Sequence, residues 1–380
     1  MKKIYLLLSL FLTYSFCFSQ TFSFTYQGQV RSYIVHLPTG YVQGEELPLV
    51  LNFHGYTSNA GQQESLSGFD NVADTAHFIV VYPEGISNAW NAGIGFNGTI
   101  DDVGFASALI DTLHKNYNID LNRVYSTGFS NGGFMSHRLA CQLSNRIAAI
   151  GAVSGTIGTA AGLYTCIPTR KVPVMHIHGT SDAVVSYTGA SFGTSVDSTI
   201  KFWTKHNGCP QTPVITELPN TNTGDGTTVT KYYYGLCSDS TEVILLKING
   251  GSHSWPGTTL VPGANMDIKA SGEIWNFFKK HHLPNPINAI ENDQNNVLKE
   301  PINIQMNPFS EKISLYINSS EINEIRIYDI LGNSVFETKD KTNFSSSSLF
   351  EINSSHLKNG VYLLKVKNGT AYATYKVIKL

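Results

Sequence analysis

The most constraining stretch of this 380-residue chain runs from Arg123 to Leu139. Residues 124–127 are predicted to form a short buried strand, and the residues after Gly132 have apolar side chains at helical spacing. Between the strand and the helix lies Gly128-Phe-Ser-Asn-Gly132, a Gly-x-Ser-x-Gly turn that exposes a serine hydroxyl at the end of a strand. The pattern predicts that Ser130 is a nucleophile. A motif with only three fixed residues also occurs by chance, so the prediction depends on partner residues elsewhere in the chain.

The composition favours a folded chain without a nucleic-acid partner. Hydrophobic residues make up 42% of the chain and charged residues 14%, which is enough core-forming material to exclude a mostly disordered protein. The formal net charge is −2, and no basic stripe is present. Nucleic acid and anionic membranes are therefore not expected as partners.

The N-terminus has the pattern of a secretory signal. Residues 1–3 include two lysines, residues 4–12 form an apolar run too short to span a bilayer, and Cys17 and Ser19 supply small residues at alternate positions. This predicts a signal peptide over residues 1–19, cleaved after Ser19 or Gln20, and a secreted or surface protein. A lipoprotein site at Cys17 is disfavoured by the bulky residue before it, and no later run is long enough for a membrane helix.

Four cysteines remain after the signal: Cys141, Cys166, Cys209 and Cys237. An even number in an exported protein indicates disulfides, with three possible connectivities. The pairs Cys141–Cys166 and Cys209–Cys237 are favoured because each closes the shorter loop. Buried free thiols are the alternative.

The order of predicted elements indicates an α/β fold. Residues 21–36 alternate as two antiparallel strands, and later strands alternate with helices, which places helices on both faces of a mostly parallel sheet. The later strands are predicted at 47–53, 78–82, 124–127, 147–153, 172–177 and 243–248, and helices at 62–76, from 101 onward, after Gly132, at 196–206 and at 272–281.

The composition changes near Pro284. Residues 285–305 are rich in Asn, Pro and Asp, which is typical of a linker. Residues 306–380 contain short strands with period-two alternation and are predicted to form a small β-sandwich. We therefore expect a signal peptide at 1–19, an α/β domain at 20–284, a linker at 285–305 and a β-sandwich at 306–380.

Two downstream residues complete a candidate triad with Ser130. A serine needs a base, and the base needs an orienting acid. Asp182 follows the apolar strand at 172–177, and His253 lies in a glycine-rich loop after the strand at 243–248. The order Ser, Asp, His is that of α/β-hydrolases. His253 is the predicted base and Asp182 the predicted acid.

Three rival residues have weaker claims. His178 precedes the acid, which is the wrong order for the base, and is expected to shape the Asp182 loop. Asp197 lies at a predicted helix start and Glu242 at a strand start.

The remaining site predictions concern the oxyanion and the substrate. The backbone amides of Asn131 and Tyr56 are the predicted oxyanion donors, with Thr57 as the alternative to Tyr56. Trp90, Asp101 and Trp255 are candidate substrate-binding residues, although Trp90 is as readily explained as the anchor of its own loop.

Several ordered motifs between residues 24 and 283 resemble the secreted esterases of carbohydrate esterase family 1, a group with feruloyl, acetylxylan and polyhydroxybutyrate depolymerase-like members. The motifs are Pro48–Tyr56, Asp101–Phe105, Arg123–Leu139, His178–Asp182 and Gly250–Gly257. The resemblance implies an α/β-hydrolase fold, no cofactor or metal, and the triad Ser130, Asp182 and His253. The chain departs from the family pattern at Ser252, where a glycine is common.

The C-terminal residues resemble the sorting domain of proteins exported by the type IX system of Bacteroidetes. The resemblance lies in residues 307–309, 328–333, 359–362 and 376–380. It implies an export tag recognised by the secretion machinery. A carbohydrate-binding domain is the alternative.

Together these features predict a secreted serine carboxylesterase. Ferulate or acetate esters of plant cell-wall polysaccharide are the favoured substrates, ahead of polyhydroxybutyrate-type polyesters. The alternative from another class is a glycan-binding surface protein on a decayed hydrolase scaffold, which the complete triad argues against.

Overall fold

The computed structural model describes residues 19–159, 166–283, 302–304, 309–317, 322, 324–329, 334–338, 348–368 and 371–379. Some predicted features lie outside the described residues. These are the signal segment up to residue 18, most of the linker, and residues 307–308 and 330–333 of the C-terminal motifs. The chain divides into two compact units, Met1–Asn285 and Pro286–Leu380.

The first unit is built on a ten-stranded sheet. Its strands are β1 (Gln20–Tyr26), β2 (Gln29–His36), β3 (Leu47–Phe53), β4 (Ile79–Pro83), β5 (Ile119–Phe129), β6 (Ala149–Val153), β7 (Val174–Gly179), β8 (Val214–Glu217), β9 (Thr228–Tyr234) and β10 (Val243–Asn249). Their order across the sheet is β1-β2-β4-β3-β5-β6-β7-β10-β9-β8. The six central strands, β4-β3-β5-β6-β7-β10, are parallel to one another. At each edge of the sheet, the strands pair in antiparallel fashion.

Helices cover both faces of this sheet. The α-helices in the described part are α1 (Ala60–Ser67), α2 (Phe69–Ala76), α3 (Asp102–Tyr117), α4 (Asn131–Gln142), α5 (Val196–His206) and α6 (Ala270–Phe278). Apolar side chains of α3, α4 and α5 belong to one buried cluster, and those of α1, α2 and α6 belong to a second. The arrangement is an α/β-hydrolase fold, as the sequence predicts.

In the first unit, two local predictions about the elements differ from the structure. The helix predicted at 62–76 is divided at Gly68, whose φ of 57° is left-handed and ends α1 before α2 begins. The strands β8 and β9 were not predicted. Every residue of β8 is exposed, so this edge strand has no buried face and no alternating pattern.

Both favoured disulfides are present. Cys141 is bonded to Cys166, and Cys209 is bonded to Cys237. This confirms the pairing predicted from the shorter loops.

The second unit consists of two small sheets. Its strands are β11 (Ile302–Ile304), β12 (Lys312–Ile317), β13 (Glu324–Asp329), β14 (Ser334–Glu337), β15 (Ser348–Asn353), β16 (Gly360–Asn368) and β17 (Ala371–Lys379). One sheet has the order β11-β12-β15 and the other β14-β13-β16-β17. Isoleucines of β12 and β13 share a buried cluster with Leu364 and Val366 of β16. The two sheets thus enclose a common core, as in a β-sandwich.

Candidate active site

Ser130 lies in a sharp turn between a strand and a helix. β5 ends at Phe129, α4 begins at Asn131, and Ser130 has φ 54° and ψ −117°. A non-glycine residue in this region costs about 1–3 kcal/mol and persists only where the surrounding structure imposes it. Here the Ser130 amide donates to the Val153 carbonyl at 2.9 Å, and the Ser130 carbonyl accepts from the Phe134 amide at 3.0 Å. Neighbouring elements therefore hold the serine in its strained conformation.

The two glycines of the turn are required by close backbone contacts. A Cβ atom at Gly132 would lie 2.0 Å from the Phe53 carbonyl oxygen, and one at Gly128 would lie 2.5 Å from the Gly132 carbonyl carbon. Both distances are far inside van der Waals contact. The glycines let the start of α4 pack directly on the end of β3.

Asp182 and His253 meet where β7 and β10, two neighbouring strands, end. His253 Nδ1 lies 2.7 Å from Asp182 Oδ2. The other carboxylate oxygen accepts the amides of Val184 and Val185 at 2.9 Å and 2.8 Å. The Asp182 side chain is fully buried. The carboxylate is thus fixed by its own loop and presents one oxygen to the imidazole.

The pKa of Asp182 lies below its ordinary value. Burial raises this pKa, but the hydrogen bond and charge of His253, with help from the Val185 amide, lower it by more. Asp182 is therefore ionised at neutral pH. An ionised acceptor at Nδ1 fixes the proton of a neutral His253 on that nitrogen and leaves Nε2 free to accept one.

His253 also lies beside the nucleophile turn. Its ring packs on Phe129, the residue before Ser130, with ring centroids 4.7 Å apart. Among the described residues, no hydrogen bond joins Ser130 Oγ to His253. Such catalytic hydrogen bonds are often long without substrate. The structure brings Asp182 and His253 into contact and packs His253 on Phe129, whose neighbour in the chain is Ser130.

The rival residues have other partners. His178 is buried, and its Nε2 donates to the Val185 carbonyl at 2.8 Å. Asp197 accepts from the Tyr187 hydroxyl at 3.3 Å, and Glu242 lies 3.0 Å from His281.

The predicted oxyanion donors differ in their availability. The Thr57 amide donates to the Asn88 carbonyl at 2.9 Å, so the alternative donor is already engaged. Within residues 19–159 and 166–283, the amides of Tyr56 and Asn131 have no protein acceptor. The loop that carries Tyr56 lies against the nucleophile, because a Cβ atom at Gly55 would lie 3.4 Å from Ser130 Cβ.

His54 supports this loop in a way that its sequence motif does not reveal. Its Nδ1 lies 2.7 Å from the Gly55 carbonyl oxygen, and its Nε2 accepts the Gly85 amide at 2.9 Å. Burial lowers the pKa of His54 to about 4, although the Gly55 carbonyl opposes the shift. His54 is therefore neutral, with its proton on Nδ1, and connects the Gly55 loop to the end of β4.

Trp90 and Trp255 do not line a substrate surface in this structure, which corrects their prediction as substrate-binding residues. Trp90 has no exposed area, and its Nε1 donates to the His54 carbonyl at 3.0 Å. Trp255 is 1% exposed, and its Nε1 donates to Ser271 Oγ at 3.1 Å. Each indole finds its hydrogen-bond partner inside the protein, as buried tryptophans usually do. Both are core residues.

Asp101 has a structural role in addition to its predicted part in substrate binding, which stays a prediction because this residue is exposed. It is the N-cap of α3 and accepts the Gly104 amide at 2.8 Å. The Tyr26 hydroxyl donates to it at 2.7 Å. Its neighbour Asp102 is buried in an ion pair with Arg31 at 2.7 Å.

An exposed aromatic pair beside the nucleophile was not predicted. Tyr56 and Phe96 stack with ring centroids 4.2 Å apart and planes 10° from parallel. Tyr56 is 49% exposed and Phe96 36% exposed. The sequence offers one signal for an exposed ring at Phe96, which is that it is the lone aromatic residue of the glycine-rich loop at 91–98.

Two family models match the chain. Residues 97–209 match the family described as Phospholipase/Carboxylesterase. Residues 303–380 match the family described as Secretion system C-terminal sorting domain. In the described part of the chain, no helix has the length and apolar character needed to cross a membrane.

Curated relatives of this chain are named esterases. The bifunctional acetylxylan esterase/xylanase XynS20E of Neocallimastix patriciarum is 31% identical over 71% of this chain and 36% of its own length. Feruloyl esterase B of Piromyces equi is 31% identical over 67% of this chain and 46% of its own length. The chain thus spans between a third and a half of these two relatives. Feruloyl esterase D of Neurospora crassa is 29% identical over 69% of this chain and 86% of its length.

Among solved structures, the acetyl xylan esterase from Aspergillus awamori matches with a TM-score of 0.47 and 18% identity, covering 66% of this chain and 94% of that one.

Proposed function

We propose a function for this chain from the premise that it is an α/β-hydrolase related to feruloyl and acetylxylan esterases, joined to a C-terminal secretion sorting domain. The protein is a serine carboxylesterase that works through an acyl-enzyme. The observation that carries the proposal is the 2.7 Å contact between His253 Nδ1 and Asp182 Oδ2, made beside a serine held at φ 54°.

The chemistry follows from the state of these side chains. Ionised Asp182 keeps the His253 proton on Nδ1, so Nε2 takes the proton of Ser130 as its oxygen attacks the ester carbonyl. The amides of Tyr56 and Asn131 donate to the resulting oxyanion. His253 then protonates the leaving alcohol, and water repeats the cycle on the acyl-enzyme.

The ends of the chain direct it out of the cell. The N-terminal pattern over residues 1–19 is that of a signal peptide. The match of residues 303–380 to a sorting domain supports recognition by the type IX secretion machinery. The protein acts outside the cell or at its surface.

The substrate is an ester of plant cell-wall polysaccharide, with a feruloyl or acetyl group. The names of the relatives support this class. The exposed rings of Tyr56 and Phe96 also lie on the loop beside Ser130 and on a neighbouring loop. Aromatic side chains in such a position stack well on a planar phenolic ring or a sugar.

Hydrolysis of short p-nitrophenyl esters by the full chain tests the mechanism. Ser130→Ala and His253→Ala should each lower kcat by at least about 10³-fold, and Asp182→Asn by a similar factor. Ser198→Ala is the matched control, because this hydroxyl is exposed on α5 and contacts Ser195. Undiminished activity in Ser130→Ala would exclude this site.

A panel of methyl ferulate, acetylated xylan and short polyhydroxybutyrate oligomers tests the substrate class. The highest kcat/KM is expected for one of the first two substrates. Preference for the oligomers would replace the plant-wall assignment with a polyester depolymerase. Tight xylan binding without hydrolysis of any ester would indicate a glycan-binding protein.

A further inference from the structure

Three buried histidines and a tryptophan form a continuous hydrogen-bonded row that ends at the Asp182 loop. Trp203 Nε1 lies 3.1 Å from His137 Nδ1, and His137 Nε2 lies 3.3 Å from His176 Nδ1. His176 Nε2 lies 3.1 Å from His178 Nδ1, and His178 Nε2 lies 2.8 Å from the Val185 carbonyl oxygen. We call these four side chains the histidine row. None of them is more than 1% exposed.

The two ends of the histidine row determine its proton positions. An indole nitrogen can only donate, so His137 Nδ1 must accept and His137 Nε2 carries the proton. At the other end, the Val185 carbonyl can only accept, so His178 Nε2 carries a proton and the neutral ring accepts at Nδ1. His176 Nε2 must therefore donate to His178, which leaves His176 Nδ1 as the acceptor that faces His137 Nε2. All three imidazoles are therefore the same tautomer, and each accepts a hydrogen bond at Nδ1 and donates one from Nε2.

Neutral rings are required for this arrangement, and their environment keeps them neutral. Burial lowers the pKa of His137 to about 3 and the pKa of His176 well below its ordinary value. Burial also lowers the pKa of His178, against the opposing effects of the Val185 carbonyl and the Asp182 carboxylate.

The histidine row ends on the residue that holds the acid of the candidate triad. The Val185 carbonyl accepts from His178, and the Val185 amide donates to Asp182 Oδ1 at 2.8 Å. His178 Nε2 is also 3.5 Å from Asp182 Oδ2, the oxygen that contacts His253. The His178 ring is thus linked to both Asp182 oxygens, to Oδ1 through Val185 and to Oδ2 directly.

We propose that the histidine row positions Asp182, with His178 as the positioning residue and His137, His176 and Trp203 fixing its orientation. This inference rests on the proposed function, because it assigns Asp182 to the same triad. The row joins α4, which begins directly after Ser130, to the loop that carries the acid. Buried hydrogen bonds thereby connect the helix that follows the nucleophile to the loop of the acid.

Steady-state kinetics on the full chain test the role of His178. His178→Leu removes the donor to Val185, whereas the side-chain amide of His178→Gln can restore it. A displaced catalytic group costs on the order of 10²-fold in rate. We expect kcat to fall by about that factor in His178→Leu with KM within about twofold, and to recover by about tenfold in His178→Gln. His36→Leu is the control, because this histidine is also buried but bonds Asp74.

Selective ¹⁵N labelling of histidine tests the proton positions without relying on activity. The expected spectrum has His137, His176 and His178 as neutral rings protonated on Nε2. His54 is an internal comparison with the opposite tautomer, since its Nε2 accepts the Gly85 amide. Trp203→Phe removes the terminal donor and should lead to tautomer exchange at His137 first.

The outcomes separate this inference from the proposed function. An Nδ1-protonated ring in the histidine row, an unchanged kcat in His178→Leu, or equal losses in the Leu and Gln variants would overturn the positioning role and leave the esterase intact. Full esterase activity in Ser130→Ala would overturn both.

Discussion

The side chain of Asn131 binds both backbone polar groups of Trp90. Its Oδ1 accepts the Trp90 amide at 2.7 Å, and its Nδ2 donates to the Trp90 carbonyl at 3.2 Å. Both residues are buried. The residue after the nucleophile therefore offers its backbone amide to the proposed oxyanion site and fixes the 89–97 loop with its side chain.

Replacing Asn131 should affect stability and activity together. Asn131→Ala leaves the buried amide of Trp90 without a partner, at a cost of about 1–3 kcal/mol. The Trp90 carbonyl loses one of its two donors but keeps the Ala92 amide at 2.9 Å. We expect the free energy of unfolding in urea to fall by about 2 kcal/mol, and kcat to fall even where the variant is fully folded. Asn276→Ala on the exposed side of α6 is the control and should stay within about 0.5 kcal/mol of the parent. A similar small change in Asn131→Ala would contradict this role.

The two glycines at positions 132 and 272 should respond to alanine in opposite ways. A Cβ at Gly132 would lie 2.0 Å from the Phe53 carbonyl oxygen, whereas a Cβ at Gly272 in α6 meets nothing within 4 Å. Gly132→Ala should lower the free energy of unfolding by about 3 kcal/mol and abolish esterase activity. Gly272→Ala should raise it by about 0.5–1 kcal/mol with activity unchanged. Thermal unfolding and p-nitrophenyl ester hydrolysis measure both, and equal effects at the two positions would refute the packing argument.

The parts of the structure that follow from local pattern were predicted from the sequence. β3 and β4 are buried at every position, so continuous apolar runs identified them as strands of a covered sheet. Asp182 and His253 were predicted to be close because each follows a parallel strand, and parallel strands end at one edge of a sheet. Their contact in the structure agrees with that expectation, while the catalytic role of the triad stays a prediction.

The parts that depend on distant contacts were not predictable. The burial of Trp90 results from packing against His54 and from the Asn131 side chain, 41 positions away. Nothing near Trp90 in the sequence distinguishes a core indole from an exposed one. The Tyr56–Phe96 stack joins two loops in the same way. Substrate-binding residues were therefore the least accurate of the site predictions.

The Tyr56–Phe96 pair should favour aromatic acyl groups. A stacked aromatic contact contributes about 0.5–1.5 kcal/mol, so Phe96→Ala should lower kcat/KM for methyl ferulate about fivefold. The same variant should leave kcat/KM for methyl acetate within about twofold, because an acetyl group is too small to stack. Phe96→Tyr should behave like the parent.

The control for the aromatic pair is Leu260→Ala. This leucine is 60% exposed and belongs to neither loop, so its replacement should change neither rate. Equal losses on both methyl esters in Phe96→Ala would show that the ring supports the loop and does not select the acyl group.

The buried, neutral His54 should make the fold sensitive to mild acid. Its folded-state pKa of about 4 lies below the value of 6.5 for a free histidine. Between these two pH values the unfolded chain binds a proton that the folded chain does not. The stability contribution is therefore complete above pH 6.5 and is lost as the pH falls to about 4, at about 1.4 kcal/mol per pH unit. His137 and His176 add to this dependence, because burial lowers the pKa of each.

Urea unfolding of the full chain at pH 7 and pH 5 measures this dependence. His54→Gln should be less stable than the parent at pH 7, because the Gly85 amide and Gly55 carbonyl lose well-placed partners. The variant should nevertheless lose about 2 kcal/mol less than the parent between pH 7 and pH 5, since one titrating group is gone. Ile110→Val is destabilised by about 1 kcal/mol without removing a titratable group, and it should keep the parent's full pH dependence. If His54→Gln keeps that dependence too, His54 is not neutral in the folded protein, and the Nδ1–H tautomer that supports the Gly55–Tyr56 loop is wrong.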